Sequence, residues 1–129
     1  MKINVPISYG ELLDKLTILE IKKLKITDNK KLLSVNNEYL ELMKIYTKLK
    51  EDYKDLDIYY RKLIEVNTKL WEIEDGIRLH EKSGNFGDSF IDLARSVYIT
   101  NDLRFEIKSK INKKYNSAIS EEKSYKKYK

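Results

Sequence analysis

Between Leu32 and Ile77 the apolar residues fall into two interleaved rows with alternating three- and four-residue spacing. One row reads Leu32, Tyr39, Tyr46, Tyr53, Tyr60, Asn67, Glu74; the other reads Val35, Leu42, Leu49, Leu56, Leu63, Leu70, Ile77. A repeat sustained over this length is the sequence form of a coiled-coil or bundle seam. Met43 and Ile45 widen the apolar face, as do Tyr59, Ile64, Val66, Trp71 and Ile73, while Lys50, Asp52 and Asp57 narrow it between them. No Gly or Pro interrupts the chain between Gly10 and Gly76. Two architectures satisfy the pattern. Either the chain turns near Lys54–Asp57, with Asp57 capping a third helix, or one helix of about 80 Å runs from 29 to 82 at 1.5 Å per residue. The turn is the expectation, because comparable helices in a four-helix bundle are the commoner solution for this size.

The flanking segments carry clear helix boundaries. Ser8 as N-cap with Glu11 three residues on forms a capping box, and Ile7 can staple onto Leu12. The first helix then runs to about Ile26, with Leu12, Leu13, Leu16, Leu19 and Leu24 at helical spacing. Thr27-Asp28-Asn29 breaks it, and Asp28 suits the next cap. Ser83-Gly84-Asn85-Phe86-Gly87 ends the seam helix with a glycine C-terminal cap, and Asp88 starts the last helix, about 88–116. That helix places Phe90, Ala94, Val97, Ile111 and Tyr115 on one face, with Asn101, Arg104 and Lys108 on the same face midway. The fold class is all-α: an antiparallel helical bundle of four helices, or of three with one long central coiled-coil helix.

Composition narrows the classes of function. A chain of 129 residues, 41% hydrophobic and 36% charged, suits one helical domain with charged outer faces. Cysteine is absent, which removes disulfides, thiolate metal sites and a cysteine nucleophile. The N-terminal MKINVPISYG has no apolar run of signal-peptide length, and nothing approaches the roughly 18 residues of a membrane span. A cytoplasmic protein without membrane contact is expected. From Lys108 onward eight lysines face only Glu121 and Glu122, so the C-terminal end carries the whole net charge of +5 and the rest is near neutral. The four arginines, Arg61, Arg78, Arg95 and Arg104, are the more informative cations, because each offers a planar fork that Lys lacks.

Four residues at seam positions are polar. A five-residue loop makes the Leu70 helix and the last helix antiparallel neighbours, which sets Ile77 against Ala94, Glu74 near Val97, Leu70 near Asn101 and Asn67 near Arg104. Asn67, Glu74, Asn101 and Arg104 thereby meet, bordered by Trp71, Asp75, Arg78, Arg95 and Tyr98, with Asp14 and Lys15 of the first helix within reach. Unpaired polar groups there are costly. They form either a hydrogen-bonded network that fixes helix register, the commoner outcome in bundles, or a site for a small anionic or polyhydroxyl ligand. In the second reading the arginines are forks and Glu74 and Asp75 acceptors.

Other constellations carry less. Glu38-x-x-Glu41 and Glu72-x-x-Asp75 are carboxylate pairs one turn apart on two helices, able to hold Mg²⁺ through oxygen. They resemble the metal motif of all-α nucleotide pyrophosphohydrolases of the MazG-like and all-α dUTPase group, and that resemblance implies a Mg-dependent hydrolase. Solvated helix faces explain the same residues more simply. His80 stands alone, without a second histidine for a metal. The tyrosines at seam spacing read as core with hydroxyls reaching solvent. The Lys/Tyr C-terminus admits nucleic-acid contact, although a solvated tail accounts for it better.

The segments ISYGELLDKLTILEIK (7–22), LWEIEDGIR (70–78), FIDLARSVYITNDLR (90–104) and EEKSY (121–125) together resemble a family of small bacterial and phage proteins known only as a domain of unknown function. The resemblance brings no activity. It implies that EEKSY belongs to the folded unit, giving a single domain over 1–125 and a basic tail over 126–129. The expectation is a non-catalytic binding or assembly module without a resident cofactor, with an arginine-lined pocket, homodimeric through the Tyr39/Leu42/Tyr46/Leu49/Tyr53/Leu56 seam. The alternatives are the Mg-dependent hydrolase and nucleic-acid binding through the C-terminus.

Overall fold

Four α-helices and no strand make up the computed structural model, which describes all 129 residues: α1 (Tyr9–Lys25), α2 (Asn29–Asp52), α3 (Leu56–Ser83) and α4 (Asp88–Lys114). The protein is an all-α bundle. Ser8 caps α1 by accepting from the Glu11 N–H at 3.0 Å, and Asp28 caps α2 by accepting from the Lys31 N–H at 3.0 Å. Gly84 closes α3 in the left-handed region at φ +69, where a Cβ would be strained. The capping box is only half realised. Glu11 turns its carboxylate to Lys108 instead of back to the Ser8 N–H.

The seam stretch is two helices. α2 ends at Asp52 and α3 begins at Leu56. The expected cap, Asp57, lies inside α3 and accepts from the Tyr46 hydroxyl at 2.5 Å while pairing with Lys50 at 2.8 Å. Asp55 holds the N-cap position, but its carboxylate takes Lys114 and the Tyr115 hydroxyl from α4. Long-range partners therefore set this turn, together with the Tyr9, Tyr53 and Tyr115 rings, which stack with centroids 5.9 and 4.7 Å apart.

α1 is the central element and packs on each of the other three helices, while α2 joins the bundle chiefly through α1. The core is built from Leu12, Leu13 and Leu16 of α1, Tyr46 of α2, Leu56, Tyr60 and Leu63 of α3, and Ile111 and Tyr115 near the end of α4. The residues expected at a homodimer seam also pack within the chain: Tyr46 and Leu56 are buried, and Tyr39, Leu42, Leu49 and Tyr53 lie partly buried around the same core. The stripe's buried hydroxyls also differ from expectation. Tyr60 ends on Glu20 at 2.6 Å, as Tyr46 ends on Asp57, so both meet carboxylates instead of water.

α3 and α4, of 28 and 27 residues, outrun the 17-residue α1. At 1.5 Å per residue they span about 40 Å against about 25 Å, so the hairpin projects beyond the three-helix contact. From Glu74 to Ile99 no residue is buried. Beyond Lys114 the chain runs back along α4: Glu121 meets Lys108 at 3.0 Å, Lys123 sits over the Phe105 ring and Tyr128 packs edge-on against Tyr98. Tyr128 thus brings the 126–129 segment onto α4. No helix is long and apolar enough to cross a membrane.

Candidate functional site

Asp14 is the hub of the polar interior. It lies on the face of α1 that also carries Thr17 and Ile21, and its side chain is 1% exposed. Arg104 of α4 clasps it with two parallel donors: Nε to Oδ1 at 2.9 Å, and Nη2 to Oδ2. The Asn67 amide of α3 donates to Asp14 Oδ1 and to Thr17 Oγ1, both at 2.9 Å, and the Thr17 hydroxyl donates to the Asp14 carbonyl. Lys108, one turn beyond Arg104, is also buried; its ammonium donates to Glu11 and Glu121 and lies 3.8 Å from Asp14. The network joins three helices and the C-terminal segment.

The electrostatics favour charged partners on both sides. Burial raises the Asp14 pKa, but the hydrogen bonds from Arg104 and Asn67, with the charges of Arg104 and Lys108, outweigh it and hold the carboxyl below its usual range. Burial likewise works against the Lys108 ammonium, and its bonds to Glu11 and Glu121 reverse that and raise its pKa. The network satisfies two of the four polar seam residues. Asn67 and Arg104 meet through Asp14 and not directly.

Outside this network the same residues open onto a groove of about 550 Å³. Ile18 and Ile21 of α1 and Leu70 of α3 give it an apolar part; Asn67, Trp71, Glu74, Asp75 and Arg78 line it from α3, and Asn101 and Arg104 from α4. The groove opens beside the C-terminal half of α1, where the hairpin starts to outrun it. Arg78 and Glu74 pair one turn apart at 2.5 Å, both well exposed. Arg104 is immobilised through Nε and Nη2, which leaves Nη1 without a partner in the chain.

Seven residues expected at a site therefore line one groove: Asn67, Trp71, Glu74, Asp75, Arg78, Asn101 and Arg104. Asp14 stands behind them as the anchor of Arg104. Three lie elsewhere. Lys15 is exposed and lines a different groove, beside the N-terminal segment and α2. Arg95 is exposed on the projecting hairpin, close to Tyr98, and Tyr98 packs against Tyr128. The Leu93 side chain packs on Gly76, where a Cβ would meet it at 3.1 Å.

The structure does not bring the four carboxylates of the Mg²⁺ motif together. Glu38 and Glu41 border the N-terminal segment, where Glu41 pairs with Lys2 at 2.8 Å, while Asp75 lies in the α3–α4 groove and Glu72 is exposed. No group of three or more His, Cys, Asp or Glu side chains is placed to share a cation. Glu11, Thr17 and Glu121 complete the network without a local pattern that marks them in the sequence, and Asn112 ties α4 to the start of α1 beside it. Asn112 shows what was legible, being a second polar residue on the buried face of α4 one turn past Lys108; its Oδ1 accepts from the Gly10 N–H at 2.8 Å.

Fold and groove define a helical bundle with a polar cleft between the α3–α4 hairpin and the end of its central helix. The chain belongs to the DUF6165 family, a family of unknown function whose model matches residues 1–128. No curated protein and no solved structure matches it.

Proposed function

We propose that this chain is a non-catalytic binding module whose α3–α4 groove takes a small polyhydroxyl or weakly anionic ligand. The observation that carries the reading is Arg104. Its guanidinium is held rigid by a buried carboxylate yet lines the groove with one nitrogen free, so a donor is pre-organised before any ligand arrives. Asn101 and the Trp71 indole add further hydrogen-bonding groups, Asp75 adds an acceptor, and Leu70, Ile18 and Ile21 an apolar wall. Such a mixture of a few placed polar groups on apolar surface is what fixes the orientation of a small ligand.

Charge pairing decides between the two ligand classes. Asp14 neutralises Arg104 and Glu74 neutralises Arg78, which leaves Asp75 as the unpaired charge in the groove. A phosphate or other strongly anionic group meets no free cation there, whereas hydroxyl groups can use the donors and the acceptor alike. Polyhydroxyl compounds are the better fit.

Trp71 is the single tryptophan, so intrinsic fluorescence reads the groove directly. Titration with a panel of neutral methyl glycosides and polyols, beside inorganic phosphate and acetate, should give a saturable change with a neutral member. Asn101→Ala should weaken it by roughly tenfold, the loss of one good hydrogen bond. A flat response to every compound at millimolar concentration, or saturation untouched by Asn101→Ala, overturns the reading.

A further inference from the structure

A second polar cavity lies one turn further along α4 from the groove. It encloses about 290 Å³ between the N-terminal end of α1, α4 and the C-terminal segment. Arg104 and Lys108 line it from α4 and Lys123 from the C-terminal segment; Glu11 and Glu121 add carboxylates, and Phe105 is its one apolar member. Asn101 and Arg104 line both spaces, so the two adjoin along α4.

Ion pairing in this cavity is complete only while Glu121 is in it. Arg104 is paired with Asp14, and Lys108 with Glu11 at 2.9 Å and Glu121 at 3.0 Å. Lys123 lies over the Phe105 and Tyr125 rings and meets no carboxylate. Counting Asp14 behind Arg104, three cations thus balance three carboxylates, and withdrawing Glu121 leaves a positive excess. The surroundings do not cancel it. Glu122 accepts from the Ser120 hydroxyl, and in an adjoining hollow Asp102 and Glu106 are outnumbered by Lys123, Lys126, Lys127 and Lys129.

Glu121 is also the member held most loosely. From Ala118 to Lys129 no residue is buried and no backbone–backbone hydrogen bond ties the segment down. The Glu121 side chain is 35% exposed against 5% for Lys108, so the carboxylate can rotate into solvent while the ammonium cannot follow. That rotation uncovers a buried cation with one partner fewer, a costly state that another anion relieves.

We infer that this cavity is a seat for a small oxyanion, a carboxylate or phosphate group, with Glu121 as its tethered occupant. The incoming oxyanion replaces Glu121 Oε2 at Lys108 Nζ and gains Nη1 of Arg104 and the Lys123 ammonium as further donors, charge-assisted bonds of the stronger kind. A short tether holds Glu121 at an effective concentration in the millimolar range, so the free oxyanion binds the wild type weakly. The seat is independent of the ligand reading of the groove, whose own cations are paired.

Calorimetric titration of the full chain with inorganic phosphate at constant ionic strength tests it. Glu121→Gln should bind phosphate roughly tenfold more tightly than the wild type, the difference one charged hydrogen bond makes. Adding Lys123→Ala, at an exposed position outside every ion pair, should reverse most of that gain. Glu41→Gln removes the same charge from the surface pair with Lys2 and should leave phosphate affinity at the wild-type value. Equal tightening in Glu41→Gln would show diffuse attraction to a basic chain and overturn the proposal. So would an unchanged affinity in Glu121→Gln, or a gain that Lys123→Ala leaves intact.

Discussion

Removal of the Asp14 carboxylate is the most direct challenge to the picture of a bundle tied by one buried ion cluster. In Asp14→Ala, Arg104 loses both donors' partner and Asn67 loses one acceptor, while Thr17 Oγ1 remains to Asn67 and Glu11 and Glu121 remain to Lys108. Breaking a buried pair costs on the order of 3–5 kcal/mol because the surviving charge is left unpaired. Arg104 is 29% exposed and can draw in water, so the lower end applies, about 3 kcal/mol. For a chain of this length that is a fall in melting temperature of roughly 10 °C. Urea unfolding followed by circular dichroism should show the loss in the midpoint with the slope unchanged.

The surface pair Lys2–Glu41, with side chains 75 and 52% exposed, gives the comparison: Lys2→Ala should cost no more than about 0.5 kcal/mol. The pH dependence carries a second check. The folded pKa of Asp14 lies below the unfolded value, so its stabilisation is complete above about pH 4 and is lost as pH falls through the folded value. The gap between wild type and Asp14→Ala should therefore close on acidification. A loss as small as that of Lys2→Ala, or a gap that persists in acid, refutes the account.

Three further outcomes follow from particular contacts. A Cβ at Gly10 would stand 2.7 Å from the Lys108 carbonyl oxygen and 3.0 Å from Asn112 Oδ1, so Gly10→Ala should force α1 off α4 and cost about 2 kcal/mol in thermal unfolding; a neutral result means the close approach is not there. Thr100 is buried with its hydroxyl unpartnered, so Thr100→Val should leave calorimetric stability unchanged or raise it by up to about 1 kcal/mol, and a clear loss would reveal a missed partner. Burial, with Asp57 and Glu20 as acceptors, pushes the Tyr46 and Tyr60 phenols far up; a raised folded pKa gives stability that is present below the unfolded value near 10 and lost above it. Near-ultraviolet absorbance should show these two of the ten tyrosines ionising only as helix content disappears, and full ionisation of a folded helix sets the idea aside.

Local chemistry made much of the fold legible. Ser8, Asp28 and Gly84 act through neighbours within a few residues, and their roles can be read from adjacent sequence. The turn at Tyr53–Asp55 contains neither Gly nor Pro, and its partners are Lys114 and Tyr115, some sixty residues away. Spacing alone could place that turn only by weighing whole architectures. The same division holds at the groove. The polar interruptions of the seam at Asn67 and Arg104 were visible, because a polar residue at a core position demands a partner. The partner itself, Asp14, was one of several charged residues in α1, and no local pattern marks it as the acceptor that both of them share. The Mg²⁺ motif failed for a related reason: spacing within each pair says nothing about which way two separate helices present their faces.

The clasp on Asp14 also bears on the order in which the chain can fold as it is made. Asp14 and Arg104 are 90 residues apart in sequence, and Gly10 and Asn112 are 102 apart. At synthesis rates of 5–20 residues per second, α1 waits roughly 5–20 s for its α4 contacts to emerge. During that interval its leucine face has only α2 and the start of α3 to cover it, and its buried carboxylate has no arginine. α1 is made before every helix that covers it and is among the last to be completed, so its apolar face is the part of this bundle exposed longest to misassociation.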